Sequence, residues 1–263
     1  MNIVVCVKQV PDTTEVRIDP ETNSLIREGV ESILNPFDEN GVEAALQLRE
    51  QHGGKVTVIT MGPPQAEAIL RHSLAMGADE VYLVCDRAIR GSDTLATSYT
   101  LARAIEYLGE FDLVICGKQA IDGDTAQVGP GVAERLGIPQ VSLAISLEVE
   151  GRKLRARRLL DDATETVEVR LPALITVVKQ INEPRHPPMK GVLKAKKAQI
   201  PILDAEMLEL DPKLTGFPGS PTFVWKIFTP PRRARGQIIE GEPEDAAKEL
   251  AQKILGLNVI SVS

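Results

Sequence analysis

The residues best placed to do chemistry lie in one run, LVICGKQAIDGDTAQVGPGVAERLG, from Leu113 to Gly137. A short apolar strand, Leu113 to Cys116, enters Gly117 and then a polar loop carrying Asp122, Gly123, Asp124 and Thr125. A helix begins between Thr125 and Pro130. In open α/β sheets, ligands sit outside the carboxyl ends of the strands. Helix N-termini there present unpaired N–H groups and the positive end of a dipole, a natural seat for phosphate. The run therefore reads as the phosphate site of a nucleotide. Its spacing is neither the G-x-G-x-x-G fingerprint nor the Walker loop, so spacing alone does not name the nucleotide.

Other chemistries find less support. Neither His72 nor His186 has a serine or cysteine nucleophile in a triad-like context, and His72 reads as a structural residue of a helix. No His/Asp/Glu cluster has metal-ligand spacing. Cys6, Cys85 and Cys116 close the apolar runs IVVC, VYLVC and LVIC and read as small buried hydrophobes. With no C-x-x-C they fit neither a zinc site nor a disulfide framework, and a reducing cytoplasm is the simplest setting. The chain has 263 residues, 30 basic and 37 acidic, for a net charge of −7. That balance argues against a broad nucleic-acid surface. Aromatics make up only 3% of residues, too few for a base-stacking platform. No run approaches the ~18 apolar residues of a membrane helix, and the start MNIVVCVKQV is too short for a signal peptide.

These residues need a scaffold, and the first half of the chain supplies alternating strands and helices. Strands are expected at Ile3 to Val7, Val56 to Thr60, Val81 to Cys85 and Leu113 to Cys116. Between them fall helices from Asn35-Pro36 to about Arg49, from Pro63 to Met76 before Gly77, and from Ser92 or Asp93 to Leu108. Asn35 suits a cap and Pro36 the first helical position. Val16 to Ile18 and Ser24 to Ile26 flank DPETN as a small hairpin. The repetition implies an α/β fold: a doubly wound, mostly parallel sheet with helices on both faces. After about Pro139 the pattern turns to strands (Leu143 to Val149, Lys153 to Leu159, Thr166 to Leu171, Leu174 to Val178). These read as an antiparallel extension of the same sheet. From Asn182 the chain is expected to be irregular, since Pro184, Pro187 and Pro188 interrupt any regular element. Residues 185–199 carry five basic and no acidic side chains, which reads either as a solvated loop or as a docking loop for an acidic partner. A final helix is expected from about Pro243 to Leu255, closed by Gly256.

Several segments then coincide in order with one family. VCVKQVPD, NPFDENGVEAALQL, VITMGP, SLAMGADEVYLV, GKQAIDGDTAQVGP, LPALITV, NEPR and KAKK together resemble the beta subunit of electron transfer flavoprotein over nearly the whole chain. The resemblance implies the adenine-nucleotide-binding type of α/β fold over residues 1–231. It also implies a C-terminal arm, 232–263, reaching an alpha subunit that carries FAD. Its own nucleotide site would use Cys6, the helix start Asn35, Pro36, Phe37 and Asp38, Met61, and the stretch Asp122, Gly123, Asp124, Thr125, Ala126, Gln127, Val128, Gly129, Val132 and Ala133. Gln119, Asp122, Thr125 and Gln127 are the expected polar contacts, with amides of Ala126, Gln127 and Val128 as donors. Asn35 and Asp38 also suit plain helix capping. Asp122 and Asp124 suit capping or ribose hydroxyls, and the sequence does not separate their roles.

The family holds either AMP, in simple carriers, or a second FAD, in electron-bifurcating members. Gly123, Gly129 and Gly131 allow close backbone approach to a pyrophosphate, and DGDTAQVGP and RARGQIIEGE resemble the bifurcating group; FAD is the expected cofactor and AMP the alternative. The resemblance then implies hydride from NAD(H) and a split of electrons between ferredoxin or flavodoxin and the alpha-subunit FAD. From there electrons would pass to a dehydrogenase, of acyl-CoA type, docked on the loop Asn182 to Lys197. Met189 stands where simple carriers have leucine. The remaining alternatives are a stand-alone ATP or AMP sensor and a scaffold with an empty crevice. A sensor would require a late glycine-rich loop ending in Gly-Ser or Gly-Thr, which the chain lacks.

Overall fold

The computed structural model describes residues 1–12, 17–18, 25–26, 32–226 and 236–257, the two short pairs as backbone only. The chain divides into two compact units, Met1–Lys226 and Ile227–Ser263. In the first unit the strands are β1 (Asn2–Cys6), β2 (Gln9–Pro11), β3 (Arg17–Ile18), β4 (Leu25–Ile26), β5 (Ser32–Leu34), β6 (Lys55–Met61), β7 (Glu80–Val84), β8 (Leu113–Gly117), β9 (Gln140–Glu150), β10 (Lys153–Leu159), β11 (Thr164–Arg170), β12 (Ala173–Val177) and β13 (Ile202–Leu203). Its helices are α1 (Pro36–His52), α2 (Glu67–Met76), α3 (Thr94–Leu108), α4 (Val128–Leu136) and α5 (Met189–Lys197). The second unit contributes α6 (Pro243–Gly256), where Lys253 bridges Glu249 at 2.9 Å and donates to Gln237 at 2.9 Å.

Nine strands form the main sheet in the order β11-β10-β9-β12-β8-β1-β6-β7-β13. From β9 through β13 the neighbours are parallel, whereas β9, β10 and β11 pair antiparallel. This is the α/β architecture expected from the alternation, with one correction: of the four later strands only β9, β10 and β11 form the antiparallel extension, while β12 inserts between β8 and β9 and pairs parallel with both. The central strands are buried on both faces, as all-parallel strands under helices must be. Strand pleating sends Ile3 and Val5 into one core with Val42, Leu46, Val58 and Leu70, and Val4 and Cys6 into the other with Ile59, Leu101, Ile105 and Val132.

The structure departs from the sequence reading at several places. Residues 189–197 are helical, not irregular, because Pro188 stands just before the helix and MKGVLKAKK contains no further proline. Gly191 lets α5 approach α2 closely: a Cβ there would lie 2.3 Å from the Ala75 carbonyl oxygen. Pro64–Ala66 forms a short 3-10 helix before α2 begins at Glu67. A β2–β5 ribbon and the edge strand β13, neither expected, are also present. Arg17–Ile18 does pair antiparallel with Leu25–Ile26. Val16, Ser24 and the DPETN turn, like positions 232–235 and 258–263 of the expected arm, lie outside the described residues.

Candidate functional site

From β1 the chain steps outward through β6 to β7, then returns across β1 to β8 and β12. The order of connection therefore reverses between β1 and β8, and a ligand crevice belongs outside their carboxyl ends. Cys6 and Cys116 are register partners at those ends, and both are buried. Hydrogen bonding with Cys6, and then burial, push the Cys116 thiol well above its ordinary range, so it stays protonated and a poor nucleophile.

The first turn of α1 closes the floor. Pro36 occupies the opening of the helix, and Asn35 does not cap it with its side chain. Its carbonyl instead accepts from the amides of Asp38 and Glu39, at 2.9 and 3.0 Å. The Asn35 side chain is spent on the β8 loop: it donates to the Gln119 carbonyl at 2.9 Å and accepts from the Ile121 amide at 3.2 Å. Asp38 accepts from the amides of Lys8 at 2.8 Å and Gly117 at 3.1 Å, tying together the two strand ends. Burial pushes its carboxyl up to about 7, against the hydrogen bonds that favour the charged form. Only glycine fits at 117, since a Cβ would lie 2.2 Å from Asp38 Oδ1. Phe37 sits beside this joint with the Lys179 ammonium 5.5 Å from its ring centre.

The loop after β8 uses its polar side chains internally. Lys8 Nζ grips both carboxylate oxygens of Asp122, at 2.7 and 2.9 Å, and Gln119 donates to Asp124 at 2.6 Å. This separates two aspartates that the sequence left equivalent. Neither caps α4, whose flanking residue is Gln127 without a side-chain cap. Gln127 Oε1 accepts from the Thr94 hydroxyl at 2.8 Å. Asp124 and Ala126 both hold positive φ, 51° and 54°, a conformation that costs a non-glycine residue energy and recurs at ligand sites. Among the described residues, the amides of Thr125, Ala126, Gln127, Val128 and Gly129 find no protein acceptor. Gly123 faces open space, with no atom within 4 Å of where a Cβ would stand.

Other expected residues have packing roles. A Cβ at Gly129 would meet Thr176 Cγ2 at 2.7 Å, and one at Gly131 would meet Ser98 at 2.8 Å. These glycines set α4 against β12 and α3. Val132 and Ala133 lie inside the core beside Cys116. Met61, at the end of β6, lines a cavity of about 390 Å³ with Gly62, Pro63, Asp86, Ile89 and Arg90. This cavity is at the same sheet edge, outside β6 and β7. The sequence reading missed its far wall, the loop after β7, and also missed Lys8. The loop carries no motif, and only the KQ of VCVKQV hinted at Lys8.

A doubly wound sheet with a row of amides that lack protein partners among the described residues at its switch point, and an apolar-walled cavity at the same sheet edge, defines the class: a doubly wound α/β protein with a candidate anion-binding crevice. The electron transfer flavoprotein domain matches residues 22–208. The chain is 52% identical over 261 residues to the electron transfer flavoprotein subunit beta of Thermoanaerobacterium thermosaccharolyticum, covering 99% of this chain and all of that one. It is 49% identical to the subunit beta of Megasphaera elsdenii, over 97% of this chain and all of that one. It is 47% identical to the caffeyl-CoA reductase-Etf complex subunit CarD of Acetobacterium woodii, over 99% of this chain and all of that one. The chain belongs to the electron transfer flavoprotein family, as a beta subunit, and its family role implies an alpha-subunit partner. Among the described residues, no helix is long and apolar enough to cross a membrane.

Proposed function

We propose that this beta subunit binds FAD in the crevice between β1 and β8 and serves NADH-driven electron bifurcation. Electrons would leave for a ferredoxin- or flavodoxin-type carrier and, through the alpha-subunit FAD, for an acyl-CoA-type dehydrogenase. The observation that carries the reading is the run of amides from Thr125 to Gly129 with no protein acceptor among the described residues, set beside the open space at Gly123. Five N–H groups at a helix start suit an anion. Lys8 neutralises Asp122 beside them, which removes one repulsion a pyrophosphate would meet. Bound here, FAD supplies hydride acceptance and one-electron release; the chain supplies binding, orientation and electrostatics. Asn35 and Asp38 hold the floor, Met61 and Ile89 give apolar walls, and the buried Cys116 thiol, held protonated, adds no competing nucleophile. The kinship with CarD, a subunit of a CoA-ester reductase complex, supports a CoA-linked acceptor. Residues 182–197, with Met189 exposed on α5, are the proposed dehydrogenase dock, and 232–263 the proposed arm towards the alpha subunit.

One observation favours AMP as a second reading. Gly129 and Gly131 are explained by helix packing, so the glycine argument for a pyrophosphate narrows to Gly123. The visible spectrum of the co-purified heterodimer decides: two flavins per dimer support the FAD reading, and one flavin plus AMP overturns it. Gly123→Glu provides the site-specific check. Because its side chain enters open space, the fold should be unaffected while FAD at this site falls at least several-fold and the alpha flavin stays. Unchanged occupancy would remove the pyrophosphate from this loop.

A further inference from the structure

The wall of the Met61 cavity is held from behind by a later stretch of chain. The Ala205 amide donates to Asp86 at 3.1 Å, and the Phe217 amide to the Arg90 carbonyl at 3.0 Å. The Ser220 hydroxyl accepts from the Asp93 amide at 2.8 Å, and Gly216 packs so tightly that a Cβ would sit 2.0 Å from the Ala88 oxygen. The contacts converge on Asp93. One of its oxygens caps α3, accepting from Leu95 and Ala96 at 2.9 and 3.1 Å. The other accepts from both the amide and the hydroxyl of Thr222, at 3.1 and 2.8 Å. The next residue, Thr94, donates to Gln127 in the free-amide row.

The geometry points to residues 205–222 as a strap that positions both halves of the nucleotide site, with Thr222 and Asp93 as its buckle. This rests on the nucleotide reading above and adds to it a set of positioning residues distant in sequence. The strap fixes the cavity wall through Asp86 and Arg90, and the amide row through the path Thr222, Asp93, Thr94 and Gln127. Thr222 itself is exposed, and its hydrogen bonds go to Asp93. Its effect on a ligand therefore acts through Asp93. Just beyond it, Phe223 and Trp225 stack edge to face with ring centres 6.1 Å apart, largely exposed.

The test uses the full chain with its alpha subunit, stripped of the nucleotide at this site, loaded with a fluorescent AMP analogue and chased with unlabelled AMP. Thr222→Val should release the probe about fivefold faster or more, the lower end of typical coupling between linked groups. The unloaded thermal midpoint should drop by no more than about 4 °C, the scale of one lost hydrogen bond, and Thr222→Ser should restore slow release. Equal release from wild type and Thr222→Val overturns the strap while leaving the nucleotide site standing. Failure of the stripped wild-type dimer to take up either the probe or FAD at this site overturns the nucleotide reading itself.

Discussion

Replacing Arg185 by alanine is expected to cost about 3–5 kcal/mol of folding stability, because it leaves a buried carboxylate without its counter-charge. Glu43 lies on α1 with only 4% of its side chain exposed. Arg185 satisfies it three times, through Nε at 2.7 Å, Nη2 at 3.0 Å and its own amide at 3.2 Å. The same guanidinium reaches Glu50 at 2.5 and 3.2 Å, which holds the Glu50 carboxyl below its ordinary range. The two glutamates in turn raise the Arg185 pKa, so the guanidinium is charged at all accessible pH. Urea denaturation of wild type and Arg185→Ala measures the loss. Adding Glu43→Gln to the alanine variant should recover most of it, since a neutral amide is cheaper to bury than a lone charge. A loss below about 1 kcal/mol would mean that water reaches Glu43 and that the ion pair is a surface one.

The second large effect belongs to Asp38. Its folded-state carboxyl sits at about 7 against an ordinary 3.8, so the folded protein holds the proton more tightly than the unfolded chain. Its contribution is full below about pH 4 and is lost as pH rises through about 7. The gap between the two values corresponds to about 4 kcal/mol. Asp38→Asn removes the titration, so the wild-type-minus-variant stability difference should fall between pH 4 and 7 and then level off. The variant also has a fixed cost at every pH: an amide nitrogen cannot accept, so one of the Lys8 and Gly117 N–H groups loses its partner, at about 1–3 kcal/mol. Parallel stability profiles for the two proteins across this range would place the Asp38 carboxyl in contact with water.

The legible parts of this chain were those with a local physical signal. Strand–helix alternation gave the sheet, and the strand–glycine–polar loop–helix succession gave the crevice, because both are written in short, local stretches. What stayed hidden was decided by tertiary partners. Asn35 looks like a helix cap in sequence, and its side chain instead holds the loop at Gln119 and Ile121. Asp122 and Asp124 look alike until Lys8 and Gln119 claim one each. Gly129 and Gly131 read as backbone freedom for a ligand, and the neighbours that need the missing Cβ belong to β12 and α3. The prolines before Met189 obscured α5, since they forbid a helix only up to Pro188, where this one starts. The strap was invisible because its contacts to residues 86–93 span more than 110 positions.

Helix α1 carries Asn35 and Asp38 at its start, and further along Asn40 and Glu43, which fasten Asn182 and Arg185. From Asp38 to Glu43 the rise is only about 8 Å, along a rod that cannot stretch. The crevice floor and the root of the proposed dock are thus two marks on one ruler. A dehydrogenase seated on that dock would meet this subunit at a fixed offset from its crevice. Any swing that brings redox centres within reach of each other would then have to come from elsewhere in the assembly.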